Sequence, residues 1–436
     1  MNVEITVRID DREVACVKDE IETGSELVLE EETERVKDRV GRVVLESGFQ
    51  QIVEHARRPC CCGRRMENKG KRRVTVISQS GEVVLERRRY RCRECHAWQT
   101  PADALVCCGR HRVTRYLARQ ICQLATLEHF TRLEQLLADQ HGVHLGHDPM
   151  LQLVHDVGGA AESERLAEVQ RWRDLPPQKR QWPQAEVSPS RVYVSCDGIM
   201  YCTNHTEPDP QHPGERRLIW KQMRVGCVYW QDEQERWHKR IIWGQEDDFL
   251  SFGASLYRLA CRCGYREAEE RIFAADGGEW CWTIHQNYFG DAVGVLDWYH
   301  ASEHVWACGK TLQPDDADAW VNQALERMLE GGGERLLNWL LSQRRSLRGK
   351  KRHAVDQLIN YVQPRLDRMH YPGYRSRDWQ IGTGMIESTA KQLVGLRLKG
   401  PGMHWCPHGA TAMTALRAQD LNGHWHQFWR NLAVSA

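Results

Sequence analysis

Three acidic residues in separate settings offer the chain's clearest chemistry: Asp197 in RVYVSCDGIMY, Asp276 in RIFAADGGEW and Glu387 in IGTGMIESTAKQLVGLRLKG. The two aspartates close short β-branched and aromatic runs that read as strands, and the glutamate lies on a segment of helical periodicity. Carboxylates placed in this way can converge from distant sequence. Hard divalent cations need several oxygen ligands, and a pair of them can hold the attacking and leaving oxygens of a phosphoryl transfer in line. The pattern therefore predicts Mg2+ or Mn2+ held by Asp197, Asp276 and Glu387. Asp297 follows another apolar run only 297 − 276 = 21 residues later. Asp276 is the expected ligand of the two, because Gly277-Gly278 lets backbone and substrate approach a metal closely.

Cysteine supplies a second kind of ligand. Cys92-Arg-Glu-Cys95 is a C-x2-C pair whose thiolates can bind one Zn2+ while the knuckle backbone donates to the sulfurs. Its partner pair must come from Cys60, Cys61 and Cys62, where C-x2-C spacing would put Pro59 at the first ligand position. Cys60 with Cys62 is the expected choice; Cys107, Cys108 or His55 could substitute, and buried free thiols without metal are the plain alternative. The 17 cysteines are odd in number and scattered, which does not suit a disulfide framework in a chain this long.

The net charge of +1 conceals opposite blocks. Residues 1–56 carry 7 Lys/Arg and 15 Asp/Glu (7 − 15 = −8), and residues 57–115 carry 16 and 5 (16 − 5 = +11). Arg87, Arg88, Arg89 and Arg91 cluster beside the cysteine knuckle, and Arg344, Arg345, Arg348, Lys350, Lys351 and Arg352 form a second basic run. Contact with a nucleic acid is expected, since neutralising phosphates releases counterions whatever the base sequence; a solvated face is the plain alternative. No apolar run approaches the length of a membrane span and the first residues lack a signal-like core. A cytoplasmic, nucleoid-associated protein is the expectation.

With 436 residues and 41% hydrophobic content the chain can fill several cores. Its organisation reads as an acidic N-terminal region (1–56), a zinc-ribbon-like β unit (57–109), a helix-turn-helix-like helical region (110–170) and a proline-containing linker (171–190). An α/β core follows in two parts (191–301 and 381–436) around a helical insertion (302–380). Residues 1–14 alternate like an edge strand. In the helical region Gly142 is a stop for the second helix, and Asp148-Pro149 an N-cap with proline for the third. The order strand-Asp, strand, strand, helix, strand-Asp, helix, strand, interruption and helical Glu matches an RNase H-like core carrying an insertion. On the glutamate helix Ile386, Ala390, Leu393 and Val394 form the inward stripe. Lys391, Arg397 and Lys399 are candidates to grip phosphate, though a surface salt bridge between Lys391 and Glu387 is an equal reading.

The strings CDGIMY, AADGGEW, LDWYHASEHV and GTGMIESTAKQLVGLRLKGPGMHW, with the CCCG and RCREC knuckles, resemble the DDE transposases of bacterial insertion sequences, specifically the ISKra group of the Mutator-like assemblage. The resemblance implies that Asp197, Asp276 and Glu387 form the DDE triad. Asp297 with His300 then corresponds to the C/D-x2-H signature and is expected to support the metal ligands from behind. It further implies DNA as partner, cleavage followed by attack of a 3′-hydroxyl on target DNA, and a homo-oligomer on DNA. The irregular first knuckle departs from the family's C-x2-C. Two rivals remain: a DNA-binding relative with an inactive site, and a zinc hydrolase built on His300 and His304. In the second, Ala301 stands where H-E-x-x-H logic needs glutamate.

Overall fold

A computed structural model describes residues 1–9, 11–245 and 249–432. They divide into two units: Met1–Ala161 together with the chain from Trp425 onward, and Glu162–His424.

In the first unit the alternating N-terminal segment forms a hairpin rather than a single edge strand. Its strands β1 (Asn2–Ile9) and β2 (Arg12–Glu20) pair antiparallel, and Asp11 between them adopts a left-handed turn conformation, φ 62°. Ser25 accepts from the Val28 amide and starts α1 (Glu26–Glu54). Two very short strands, β3 (Cys60–Cys61) and β4 (Arg64–Arg65), form a knuckle hairpin. The longer β5 (Glu67–Ser78) and β6 (Gly81–Arg91) pair with each other, and β7 (Trp98–Gln99) adds to the free edge of β6. Inward-facing Val74, Val76, Val83 and Leu85 pack with Val53 of α1 and Val106 of α2 (Asp103–Val106). Three helices follow, α3 (Arg115–Ala125), α4 (Phe130–His141) and α5 (His147–Asp174). Gly142 ends α4 in the left-handed conformation, as its position predicts. Asp148 lies in the first turn of α5 rather than capping it, and α5 extends into the stretch expected as linker. The terminal helix Trp425–Asn431 belongs to this unit, not to the glutamate helix's region. Arg115 donates to the carbonyls of Trp429 and Leu432 at 3.0 and 2.9 Å, groups that a helix end leaves unpaired.

The second unit is built on a five-stranded sheet. Its strands are β8 (Arg191–Pro208), β9 (Arg216–Gln231), β10 (Trp237–Gln245), β11 (Glu270–Ala275) and β12 (Val293–Leu296), in the order β10-β9-β8-β11-β12. β10, β9 and β8 run antiparallel, whereas β11 and β12 lie parallel to β8. Val192–Cys196 and Met223–Trp230 are buried at every position, as suits strands covered on both faces, with Ser195 and Arg224 the polar and charged exceptions to their apolar character. α6 (Phe249–Arg262) leads into β11, and α7 (Glu279–Tyr288) connects β11 to β12. Beyond β12 come α8 (Trp298–Leu312), α9 (Asp318–Arg344), α10 (Gly349–Val362) and α11 (Tyr371–Ser376). α9 is kinked at Gly332, whose φ is 68°.

The chain then returns to the sheet as α12 (Gly384–Ala390), a π turn at Lys391–Gly395 and α13 (Leu396–Leu398), followed by α14 (Pro407–Leu421). A π turn breaks the regular helix ladder and is common at functional sites. Here Arg417 of α14 donates to the carbonyls of Gln392 and Leu393 within that turn. Among the described residues, no helix is long and apolar enough to cross a membrane.

Candidate active site and metal centre

The chain brings the acidic residues together by sheet topology. Parallel strands align their C-terminal ends, where open α/β sheets place their sites. Asp276 is the first residue beyond β11 and Asp297 the first beyond β12. Asp197, read as a strand end, instead lies inside β8, paired with Val225 of β9. It marks the end of only one pairing: the ladder to β11 stops at Ser195↔Ala274 while β8 and β9 continue together to Pro208. Glu387 arrives from α12, whose Ile386, Thr389 and Ala390 are buried. Asp197, Asp276, Asp297, His300 and Glu387 line one cleft of about 440 Å3.

Each carboxylate is held in its own way. Asp276 Oδ1 accepts from the Gly278 amide at 2.9 Å, and Trp282 Nε1 donates to the Asp276 carbonyl at 2.8 Å. A Cβ at Gly277 would lie 3.3 Å from His300 Nε2 and 3.4 Å from the Tyr361 hydroxyl, so this turn is hemmed in from α8 and α10. Asp297 is buried, with Oδ1 capping α8 through the Tyr299 amide at 3.0 Å and Oδ2 accepting from Thr383 at 2.6 Å. Thr383 also reaches Glu387 Oε1 at 2.9 Å. Sequence reasoning passed over Thr383, whose only signal is its place four residues before Glu387.

Burial foremost, and then the charges of Asp276 and Glu387, push the Asp197 carboxyl up to about 6, against the pull of the Gly198 amide at 2.6 Å and of His300. With the folded pKa above the unfolded one, the folded state binds the extra proton. Stability therefore falls as pH rises from about 4 through about 6, and the full cost remains above that. It amounts to on the order of 3 kcal/mol. Asp197→Asn, assayed without divalent cation, is expected to raise the thermal midpoint at pH 7.5 by roughly 5 °C and to leave it unchanged near pH 3.5. Calorimetry at the two pH values checks this; equal midpoints at pH 7.5 would refute the burial and charge cost at Asp197.

The second centre lies in the first unit. Cys61, Cys62, Cys92 and Cys95 place their sulfurs within 4.8 Å of one another, with Cys61 to Cys95 at 3.4 Å and Cys61 to Cys62 at 3.8 Å. Four thiolates about 2.3 Å from a tetrahedral zinc stand roughly 3.8 Å apart, so the group could hold a metal such as zinc. The expected Cys60 is not part of it. Cys62 and Gly63 both take left-handed conformations, φ 48° and 73°, and this bend turns the adjacent Cys61 and Cys62 together toward the second knuckle. The expectation of spaced ligands missed that bend. Cys107 and Cys108 are buried, Cys107 within the apolar cluster of the β sheet. Among the described residues this cysteine group alone brings three or more His, Cys, Asp or Glu ligand atoms that close. His300 and His304 are not in such a group; the His304 ring stacks on Tyr361 at 3.7 Å.

The basic candidates divide. Arg88 is exposed, while Arg87 is largely buried and paired with Asp103 at 2.7 Å. Arg89 and Arg91 lie over the half-exposed Trp98 ring at 4.4 and 5.6 Å, a platform the sequence reading did not include. Lys71 faces Arg88 across the β5–β6 ladder, like charges that cost stability unless an anion joins them, while in the neighbouring Arg72–Arg87 pair Asp103 already supplies one. In the inserted helices Arg344 pairs with Asp356, whereas Arg345, Arg348, Lys350 and Lys351 are exposed. Lys391 and Lys399 are exposed as well. Arg397 is not available to phosphate. It follows Ala390 and Leu393 at helical spacing, is buried with them and stacks over Trp405 at 5.0 Å.

No protein-family model and no curated protein matches the chain. Among solved structures, the Drosophila P element transposase strand transfer complex aligns over 72% of this chain and 93% of that chain, with 8% identity and a TM-score of 0.33. A similarity of that size settles neither fold nor activity.

Proposed function

We propose that the protein is a DDE-type transposase of the ISKra group, which binds the ends of its element, cleaves DNA and joins the freed 3′-hydroxyls to target DNA. One observation carries the reading: Asp197, Asp276 and Glu387, 79 and 111 residues apart by number (276 − 197 = 79; 387 − 276 = 111), line one cleft beside the point where the β8–β11 pairing ends. The sheet order, three antiparallel strands followed by two parallel ones, supports the reading of an RNase H-like core. The residues suit Mg2+ or Mn2+, being hard oxygen donors, and burial together with the neighbouring Asp276 and Glu387 charges raises Asp197. Two such ions are the proposed complement, one for the attacking oxygen and one for the leaving oxygen. Bound there, the ions would activate the attacking hydroxyl and stabilise the leaving oxygen. Asp197, Asp276 and Glu387 would hold them; the Gly278 amide fixes Asp276, and the buried face of α12 sets the height of Glu387 over the sheet.

DNA is the proposed partner of both basic surfaces. Lys350 and Lys351 lie in the first turn of α10, where the helix dipole disfavours cations and backbone amides favour a phosphate. Two element ends must be cut in concert, so the active form is proposed to be at least a dimer on DNA. The direct test incubates the protein and Mn2+ with a plasmid bearing the sequences that flank its gene. Site-specific nicks at both flanks, with 3′ ends joined to target DNA, support the reading, and uncut DNA at saturating protein refutes it. Replacing Arg348, Lys350 and Lys351 together with alanine is expected to weaken binding about equally for all sequences and reduce the dependence of log K on log salt by roughly 2 to 3. An unchanged slope would assign this run to a solvated surface.

A further inference from the structure

We infer that Thr383 is a positioning residue that fixes the Glu387 carboxylate and ties it to Asp297, an inference that rests on the catalytic reading of Glu387. Thr383 occupies the residue immediately before α12, where a threonine ordinarily accepts a hydrogen bond from an amide of the first turn. No such cap bond is formed. The hydroxyl lies instead 2.6 Å from Asp297 Oδ2 and 2.9 Å from Glu387 Oε1, while the Thr383 carbonyl accepts from the Glu387 amide at 3.1 Å. Glu387 is thus held to Thr383 by backbone and side chain at once, and with Oε1 engaged, Oε2 is the oxygen left for a cation.

The anchor behind Thr383 is buried and hydrogen-bonded from several elements. Asp297 is 3% exposed and Thr383 4%. The Asp297 amide donates to the Ala275 carbonyl at 2.9 Å, and the Trp298 amide to the Ile381 carbonyl at 2.9 Å, so the end of β11, the start of α8 and the 381–383 loop are joined at one point. Gly382 permits this closeness, since a Cβ there would lie 2.8 Å from the Tyr299 ring. The same point follows Asp276's strand, so Thr383 transmits the position of the β11 end to the glutamate helix. A hydroxyl carries one proton and serves both carboxylates by turns. Removing it leaves the buried Asp297 oxygen without its donor and Glu387 free to rotate.

The test measures Mn2+ binding by electron paramagnetic resonance in the whole 436-residue chain, alongside DNA cleavage as a function of Mn2+ concentration. Thr383→Val is expected to weaken Mn2+ binding about 10-fold and to shift the Mn2+ needed for half-maximal cleavage upward by a similar factor. Thr383→Ser keeps the hydroxyl and is expected to stay within about twofold of wild type. Adding Asp297→Asn to Thr383→Val should weaken binding no further, because both act through one link. If Glu387→Gln lowers Mn2+ affinity while Thr383→Val leaves it unchanged, the inference is overturned alone. If Glu387→Gln has no effect on Mn2+ affinity, the catalytic reading falls and takes the inference with it. Equal loss in Thr383→Ser and Thr383→Val would also overturn it, since the hydroxyl would then not be the group that matters.

Discussion

Asp276→Asn is expected to eliminate DNA cleavage, a loss of at least about 1000-fold in the single-turnover rate, while Asp297→Asn retains activity reduced by roughly 10- to 100-fold. The two aspartates follow neighbouring parallel strands and open on the same cleft, so position alone does not separate them. Their hydrogen bonds do. Both Asp297 oxygens are taken, Oδ1 by the Tyr299 amide and Oδ2 by Thr383, on a side chain that is buried. Asp276 is partly exposed and its Oδ1 is steadied by the Gly278 amide, a contact the carbonyl of asparagine can keep. Asp276→Asn therefore removes charge with little disturbance of the turn. Glu387→Gln is expected to match it, with binding to element ends nearly intact. Single-turnover assays in Mn2+ measure all three variants. Cleavage by Asp276→Asn near the wild-type rate would remove it from the triad, and a Mn2+-bound structure with an Asp297 oxygen roughly 2.0 to 2.3 Å from the ion would reverse the two roles.

Removing metal from the cysteine centre is expected to unfold its knuckles and leave the rest of the sheet standing. The cluster around them consists of buried Met66, Tyr90 and Cys92 with Cys61 packed against it, too little to order strands of two residues each. The far half of β5 and β6 has its own core with α1 and α2. Hydrogen exchange after chelation should therefore accelerate sharply in residues 59–66 and 92–99 but not in residues 74–85. Metal analysis should find one zinc per chain, lost on replacing Cys92 and Cys95 with serine. Cys61→Ser is expected to lose the metal too, whereas Cys60→Ser keeps it. The opposite result for that last pair would restore the spacing-based choice, and zinc-free protein with intact knuckles would refute the site. The structure gives the centre a direction of charge as well. The Ala97 backbone holds Cys95 down to about 7, while its bonds to Cys95 and Cys62 push Cys61 up to about 12, so a cation would take the place of shared protons.

The sequence by itself marked several of the elements and the residue types able to do chemistry. The β-branched and aromatic runs before Asp197 and Asp276 marked strands, the Gly142 stop followed from local backbone preference, and hard carboxylates stood apart from soft thiolates by type alone. Local rules reach a few residues, and within that reach they identified Asp197, Asp276, Glu387, Cys92 and Cys95 as groups worth joining. Which partners complete each group depends on contacts between segments far apart in the chain. Cys61 displaces Cys60 because two successive left-handed residues bend the knuckle, a conformation the one-dimensional spacing does not contain. Arg87 pairs with Asp103, Arg397 stacks on Trp405 and Arg89 lies over Trp98 across turns whose course neither residue type nor strand or helix period specifies. Thr383 gained its place in the same way, since it stands 383 − 297 = 86 residues from Asp297. A hydroxyl becomes a link between carboxylates through tertiary distance, which residue type and helical period cannot supply.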